Sequence, residues 1–436
     1  MKKRMIILLI VLLTAALPLM AGGGQEEAET REGEEGQIGG SVSVIATWGG
    51  QEEDVFKSMI EPFTEETGIK VNFTGTRDMD AILSTRVDAG NPPDVAVFAN
   101  PGKLAEFVQQ GEMVELDQIL DMDMIRDEYS KSWVDLGTID GQYVGLFTKT
   151  AAKGFIWYDP DTQDKYDVQI PDTWDQLMDI SRTIIDNTEM APWVVALESG
   201  AASGWPGTDW LENIFIKMHG PELYNQWHEG ELSWTSDEVR AVWEAWGQII
   251  EDKDMMYGGS QYALTTNFNE AHIPVYKEDP SAAFTFQATF LKGFITDQYP
   301  DLQPETGFNV FRFPSINDEY AASVVISGDV VGLFNDTPQS RAFIEYFATA
   351  EAQGYWLETG AISPNSKVAL DEYTDPIIRE AARTMQESEV IVFDASDLMP
   401  SELNQAFFSG IMDYVQNPDS LDSVLQDLER VRQEAY

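Results

Sequence analysis

The chain has 436 residues, no cysteine, and 75 acidic against 27 basic side chains, for a formal net charge of −48. That imbalance excludes nucleic acid, whose phosphates need clustered Lys and Arg, and argues against anionic membrane surfaces. A chain this long buries enough apolar surface to fold without disulfides, and is long enough to divide into two or more lobes.

Residues 1–21 read as a secretory signal peptide: Lys2, Lys3 and Arg4, an apolar run over 5–13, then a small-residue boundary before Gly22. Export to a periplasm or the extracellular medium is the expectation, and without a Cys there is no site for a lipid anchor. Residues 22–40, rich in Gly and Glu, are expected to form a disordered acidic linker.

From Ser41 the pattern changes to short strands and helices in alternation. "SVSVIATW" alternates as a strand and ends at Trp48-Gly49-Gly50. Val55, Met59, Ile60 and Phe63 recur at helical spacing up to Gly68. "IKVNF" predicts a second strand, followed by the Arg77–Asp78 loop and a helix over about 80–89. Residues 95–98 predict a third strand and 103–110 a third helix. This is β-α-β-α-β-α with short loops, a parallel sheet with right-handed crossovers. Ligands bind beyond the carboxyl ends of such strands, here Trp48, Arg77–Asp78 and Asn100.

"GQYVGLFTKTAAKGFIWYDP" then supplies two β-rich runs, with residues 145–150 expected to cross from one lobe to another. Beyond them the chain turns mainly helical. Thr173 with Gln176 and Thr235 with Glu238 predict capping boxes. Strands are predicted again in "AAFTFQATF", "TGFNVFRF" and "YAASVVISGDVVGLF", with a second crossover near 320–323. Thr337-Pro338 opens a helix, and Leu421, Val424, Leu425, Leu428 and Val431 make the last helix amphipathic.

No metal site is predicted: the histidines His219, His228 and His272 lack ligand spacing. No cofactor motif, nucleophile elbow or phosphate loop is present. With so many acids, paired carboxylates for glycoside hydrolysis occur by chance, so that class stays open. The 12 Trp residues carry more information. Trp174, Trp227, Trp243, Trp246 and Trp356 fall in core-like patterns. Trp48 and Trp205 stand beside Gly or Pro at element ends. The "SGWPG" setting of Trp205 predicts a non-helical, exposed indole with Asp209 close by. Such a ring stacks on the apolar face of a pyranose while a carboxylate takes its hydroxyls.

Blocks spread over the chain, "FTEETGIKVNF", "NPPDVAVFANPGKLAEFVQQGEMVEL", "IPDTWDQLM" and "SVVISGDVVGLFNDTPQSRAFIEYFAT", resemble extracellular solute-binding proteins of carbohydrate ABC importers. "SGWPGTDWLENI", "GPELYNQW", "ISPNSKV" and "FDASDLMP" resemble the branch that binds α-glucosides such as trehalose, maltose or sucrose. The resemblance implies an α/β, two-lobe periplasmic-binding-protein fold, maltose-binding-protein-like, with the cleft between lobes. It implies an N-lobe of 41–148 and 321–358 and a C-lobe of 149–320 and 359–436. Carried over residue by residue, it implies ligand contacts from Trp48, Gly49, Arg77, Asp78, Asn100, Lys149, Trp205, Asp209, Phe286, Phe290, Gly328, Asp329, Asp394 and Asp397. The function implied is that of a monomeric, non-enzymatic receptor delivering sugar to a membrane permease. An extracellular glycoside hydrolase and a receptor for a non-sugar solute such as a polyol are the alternatives. Ser327, where relatives carry a glycine, and "SELNQAFFSG", where they often carry glycines and a Trp, leave the particular sugar open.

Overall fold

The computed structural model describes residues 37–388 and 390–436. The expected signal peptide and most of the expected linker lie outside the described residues. The linker's last positions do not hang free. Gly39 N donates to Thr67 O, Gly40 O accepts from Lys70 N, and Gln339 Nε2 donates to Gly39 O.

The first sheet starts as the sequence predicts. Strand β1 (Ser41–Ala46) leads to helix α1 (Gln51–Thr67), strand β2 (Lys70–Gly75), helix α2 (Met79–Asp88), strand β3 (Val95–Phe98) and helix α3 (Pro101–Gln109). β1 pairs in parallel with both β2 and β3. α1 buries Val55, Phe56, Met59 and Phe63, and Gly68 closes it in the left-handed region. Asn100 caps α3 by accepting from Lys103 N at 3.0 Å, with Pro101 in the first turn, where its missing N–H costs no bond.

Three later strands complete this six-stranded sheet. Val324–Leu333 lies antiparallel to β3 and to Leu146–Ala152 and parallel to Ile391–Phe393. Ile391–Phe393, assigned by sequence to the C-lobe, therefore pairs in the first sheet. The second sheet has four strands: Asn309–Arg312, Phe155–Tyr158, Ala282–Phe286 and Ala191–Val194.

Each sheet carries its own core. The first packs Trp48, Phe56, Phe98, Phe107, Phe343, Phe347 and Trp356. One face of the second packs Trp193, Trp210, Phe215, Trp227, Trp243, Trp246 and Phe407; the other packs Trp157, Val275, Ile295 and Ile378. The chain crosses from first to second sheet at Lys153–Gly154, directly after Leu146–Ala152. Residues 146–150 thus belong to the first sheet, and the crossover sits a few residues later than expected. The return runs through 313–323.

The Thr173–Gln176 capping box and the Thr337 cap are present. The second predicted box is not. Ser236, one residue on from Thr235, caps Asp237–Ile250 and accepts from Val239 N.

Trp205 also departs from expectation. It is the first residue of the helix Trp205–His228, which bends at Gly220. Pro206 stands in the first turn, where backbone N–H groups have no partner inside the helix, so it opens the helix instead of breaking it. Gly204 precedes it at φ 111°, and a Cβ there would meet Phe408 O at 2.3 Å. Only glycine fits that approach.

Candidate ligand-binding cleft

A cavity of ≈ 520 Å³ lies where the carboxyl ends of β1, β2 and β3 face the helix Trp205–His228. Of the residues predicted from sequence, it is lined by Trp48, Gly49, Arg77, Asp78, Asn100, Lys149, Trp205, Phe290, Gly328, Asp329, Asp394 and Asp397. They come from eight separate stretches of chain, which strand ends, the crossovers and the facing helix bring together.

The first-lobe wall is polar and pre-paired. Trp48 Nε1 donates to Asp329 Oδ2 at 2.5 Å, and Lys149 Nζ lies 3.2 Å from the same oxygen and also pairs with Glu52. Burial lowers the Lys149 pKa, but Asp329 and Glu52 outweigh it and hold the group above its ordinary value. Its ammonium stands 5.7 Å and 5.2 Å from the ring centroids of Trp48 and Trp356. Trp48 is not the open platform expected of an element-end ring. It is only 1% exposed and wedged against Phe56 and Trp356.

The second-lobe wall is aromatic. Trp205 is half-buried and meets Phe268 edge-on, with centroids 5.0 Å apart, and Phe290 at 6.0 Å; Phe294 adjoins both phenyl rings. Arg77, from the opposite lobe, lies 5.4 Å from the Phe268 centroid and ties the two rims together.

Two predicted residues do not reach the cavity. Phe286 is 4% exposed and packs on Trp210 and Phe313, because its strand points it into the core. Asp209 is 2% exposed and lies one layer below, paired with Lys153 at 2.6 Å.

Lys153 was not singled out by the sequence reading, yet it joins the floor. Its backbone N donates to Val325 O in the first sheet, while Nζ pairs with Asp209 and with Asp394. It also lies 5.5 Å from the Trp205 centroid. Asp394 Oδ1 accepts from Ser396 Oγ at 2.8 Å and Asp397 N at 3.1 Å. Behind them, Glu212 accepts from Ser396 N at 3.0 Å.

Burial would lower the Lys153 pKa, but Asp209, Asp394, Asp397 and Glu212 drive it well above normal. Burial pushes Asp209 up to about 7 against the pull of Lys153, and pushes Glu212 and Asp397 well above the carboxylate range. Asp394 goes the other way. Burial opposes its charge, but Lys153 and its hydrogen-bond donors win and hold it low. Asp209, Glu212 and Asp394 each bring one oxygen within 4.8 Å of the others, and the Lys153 ammonium supplies positive charge to that cluster.

Phe268, Phe294, Glu52, Ser396 and Asn404 also line or border the cavity and were missed by sequence. Phe268 and Phe294 carry no local signal beyond being aromatic. Lys153 had one available: a lone cation immediately before a glycine where one β-rich run gives way to the next.

The arrangement sets an aromatic wall on one side of the cavity against a hydrogen-bonding wall on the other. A family profile described as bacterial extracellular solute-binding protein matches residues 49–354. The osmoprotective compounds-binding protein GgtB of Synechocystis sp. is 32% identical over 391 residues, covering 89% of this chain and 91% of its own. The alpha-glucosides-binding periplasmic protein AglE of Rhizobium meliloti is 28% identical, covering 88% and 85%. Among solved structures, the bacterial solute receptor AcbH superposes with a TM-score of 0.79 at 17% identity, covering 91% of this chain and 99% of that one. Maltose-bound MalE3 of T. maritima gives 0.70 at 18% identity, covering 91% and 100%. Those likenesses speak for the maltose-binding-protein-like fold. With the profile spanning most of the chain and a relative above 30% identity along nearly its whole length, this protein belongs to the bacterial extracellular solute-binding protein family.

Proposed function

We propose that this chain is the sugar receptor of an ABC importer and takes a neutral α-glucoside of disaccharide size. The observation that carries the reading is the pairing of walls. Trp205, Phe268 and Phe290 form an apolar platform on one lobe, facing Arg77, Asp78, Asn100 and the Lys149–Asp329 pair on the other. A cavity of ≈ 520 Å³ falls within the usual small-ligand range of about 300–1,000 Å³. The names of two relatives, one binding osmoprotective compounds and one α-glucosides, overlap in trehalose and sucrose, which are both. These are the first ligands to try.

A sugar held by both lobes favours the state in which the lobes meet, so binding shifts the population toward closure. The closed receptor then presents its ligand to a membrane permease. No helix among the described residues is long and apolar enough to cross a membrane, which fits a partner that does the crossing. The protein works as an exported monomer and leaves its ligand chemically unchanged.

The test is a thermal-shift screen across trehalose, sucrose, maltose, galactose and glycerol, followed by calorimetry and a glucose-release assay. Stabilisation by trehalose or sucrose with no glucose released is the expected result. Released glucose would replace the receptor with a hydrolase, and a response to glycerol alone would replace the glucoside with a polyol.

A further inference from the structure

Glu212 lies one helical turn beyond Asp209, is fully buried, and has no opening to the cavity. One carboxyl oxygen accepts from Ser396 N; the other, Oε2, has no donor at all. A buried carboxylate with an unmet oxygen beside other carboxylates is costly, and the cost disappears if that oxygen carries a proton and donates it.

The neighbours say where the proton resides. Asp394 already receives Lys153 Nζ, Ser396 Oγ and the Asp397 N–H, three donors that suit an ionised group. Asp209 has the remaining reach of Lys153. Glu212 has one donor. The groups facing it are Asp209 from its own helix, Asp394 from the end of Ile391–Phe393, Lys153 from the crossover, and the Tyr224 hydroxyl, and Asp397 shares the same lysine. Lys153 is the one cation in that set, against three carboxyls besides Glu212 itself.

We infer that Glu212 is a neutral acid that shares its proton with Asp394, and that it acts as a positioning residue for the cleft floor. By accepting from Ser396 N and donating to Asp394, it clamps the turn 394–397 that presents Asp394, Ser396 and Asp397 to the cavity. Burial raises the Glu212 pKa, whereas Lys153 and the hydrogen-bond donors hold that of Asp394 down against burial, the same division seen from the titration side. The ligand-presenting half of this inference rests on the receptor reading above; the proton does not.

Glu212→Gln separates the proton from the shape. Its amide can donate to Asp394 and accept from Ser396 N, as the neutral acid does, whereas Glu212→Ala can do neither. In infrared spectra of ligand-free protein at pH 7, the wild type should show an un-ionised carboxyl C=O band that is diminished in Glu212→Gln. Trehalose and sucrose are the binding probes. Glu212→Gln should bind within about 3-fold of wild type, and Glu212→Ala should lose about 30-fold or more, as expected for two buried groups left unpaired. An ionised Glu212 would give no loss of the acid band, and Gln would then be as damaging as Ala; either result overturns the inference. If Glu212→Ala fails to fold, the Gln variant and the infrared band still decide. If the wild type binds neither sugar, the glucoside reading fails and the infrared result still judges the proton.

Discussion

Replacing Lys153 by Met tests the floor of the cleft most directly. The side chain keeps its length and apolar stem, but Asp209 and Asp394, 2% and 1% exposed, lose their cation. Removing one partner of a buried pair costs about 3–5 kcal/mol, because the other charge stays buried. Against a total stability of about 5–15 kcal/mol that is a large fraction. At about 2 °C or a little more per kcal/mol for a lobe of this size, the melting temperature at pH 8 should fall roughly 6–12 °C. The loss should shrink in acid. Without Lys153 both carboxyls have folded-state pKa values raised above their unfolded ones. The stability tied to such groups is present below the unfolded value and is lost as pH rises through the folded value. In the wild type this already holds for Asp209, at about 7. Scanning calorimetry from pH 8 down to 5 should therefore show the two melting curves converge, and adding Asp209→Asn should restore part of the loss at pH 8. A Lys153→Met protein that melts like wild type at pH 8, or lags by the same margin at every pH, would refute the buried-pair reasoning.

Trp205→Ala should weaken sugar binding by about 2–3 kcal/mol, roughly 30- to 150-fold, by losing the stacking face. Titration calorimetry reads this, and unchanged affinity would return the ring to a packing role on Phe268. Gly154→Ala should cost about 1–3 kcal/mol in denaturant melts, because φ is +93° and the new Cβ would meet Asn213 Oδ1 at 2.5 Å. Glu429 is held down to about 2 chiefly by its hydrogen bonds with Arg432, and it accepts from Trp234 N at 3.0 Å. Its stabilisation is present above the ordinary carboxylate range and lost as pH falls toward 2, so Glu429→Gln should lower stability at pH 7 by about 1 kcal/mol and match wild type near pH 2.

Local physics wrote much of this protein into its sequence. The alternation of β1 to α3, the Gly68 stop, the Thr173 and Thr337 caps and the amphipathic last helix depend on neighbours within a few positions, and all are found. Strand ends follow from strand positions, so Trp48, Arg77, Asp78 and Asn100 could be placed at a ligand edge before any packing was known. Tertiary structure decided the rest. Trp48 is a strand-end ring in sequence, but Phe56 and Trp356, distant from each other along the chain, close over it. Asp209 and Trp205 stand four residues apart on one helix, yet one lines the cavity and the other lies beneath it. Only the approach of Lys153 and Asp394 from two other segments sets that depth. Phe268 and Phe294 become part of the cavity wall solely because the helix opening at Trp205 packs beside them. Proton affinities are the extreme case. Asp209, Glu212, Asp394 and Asp397 are ordinary acids in sequence, and a single lysine at a crossover, with the exclusion of water around it, divides them into charged and neutral.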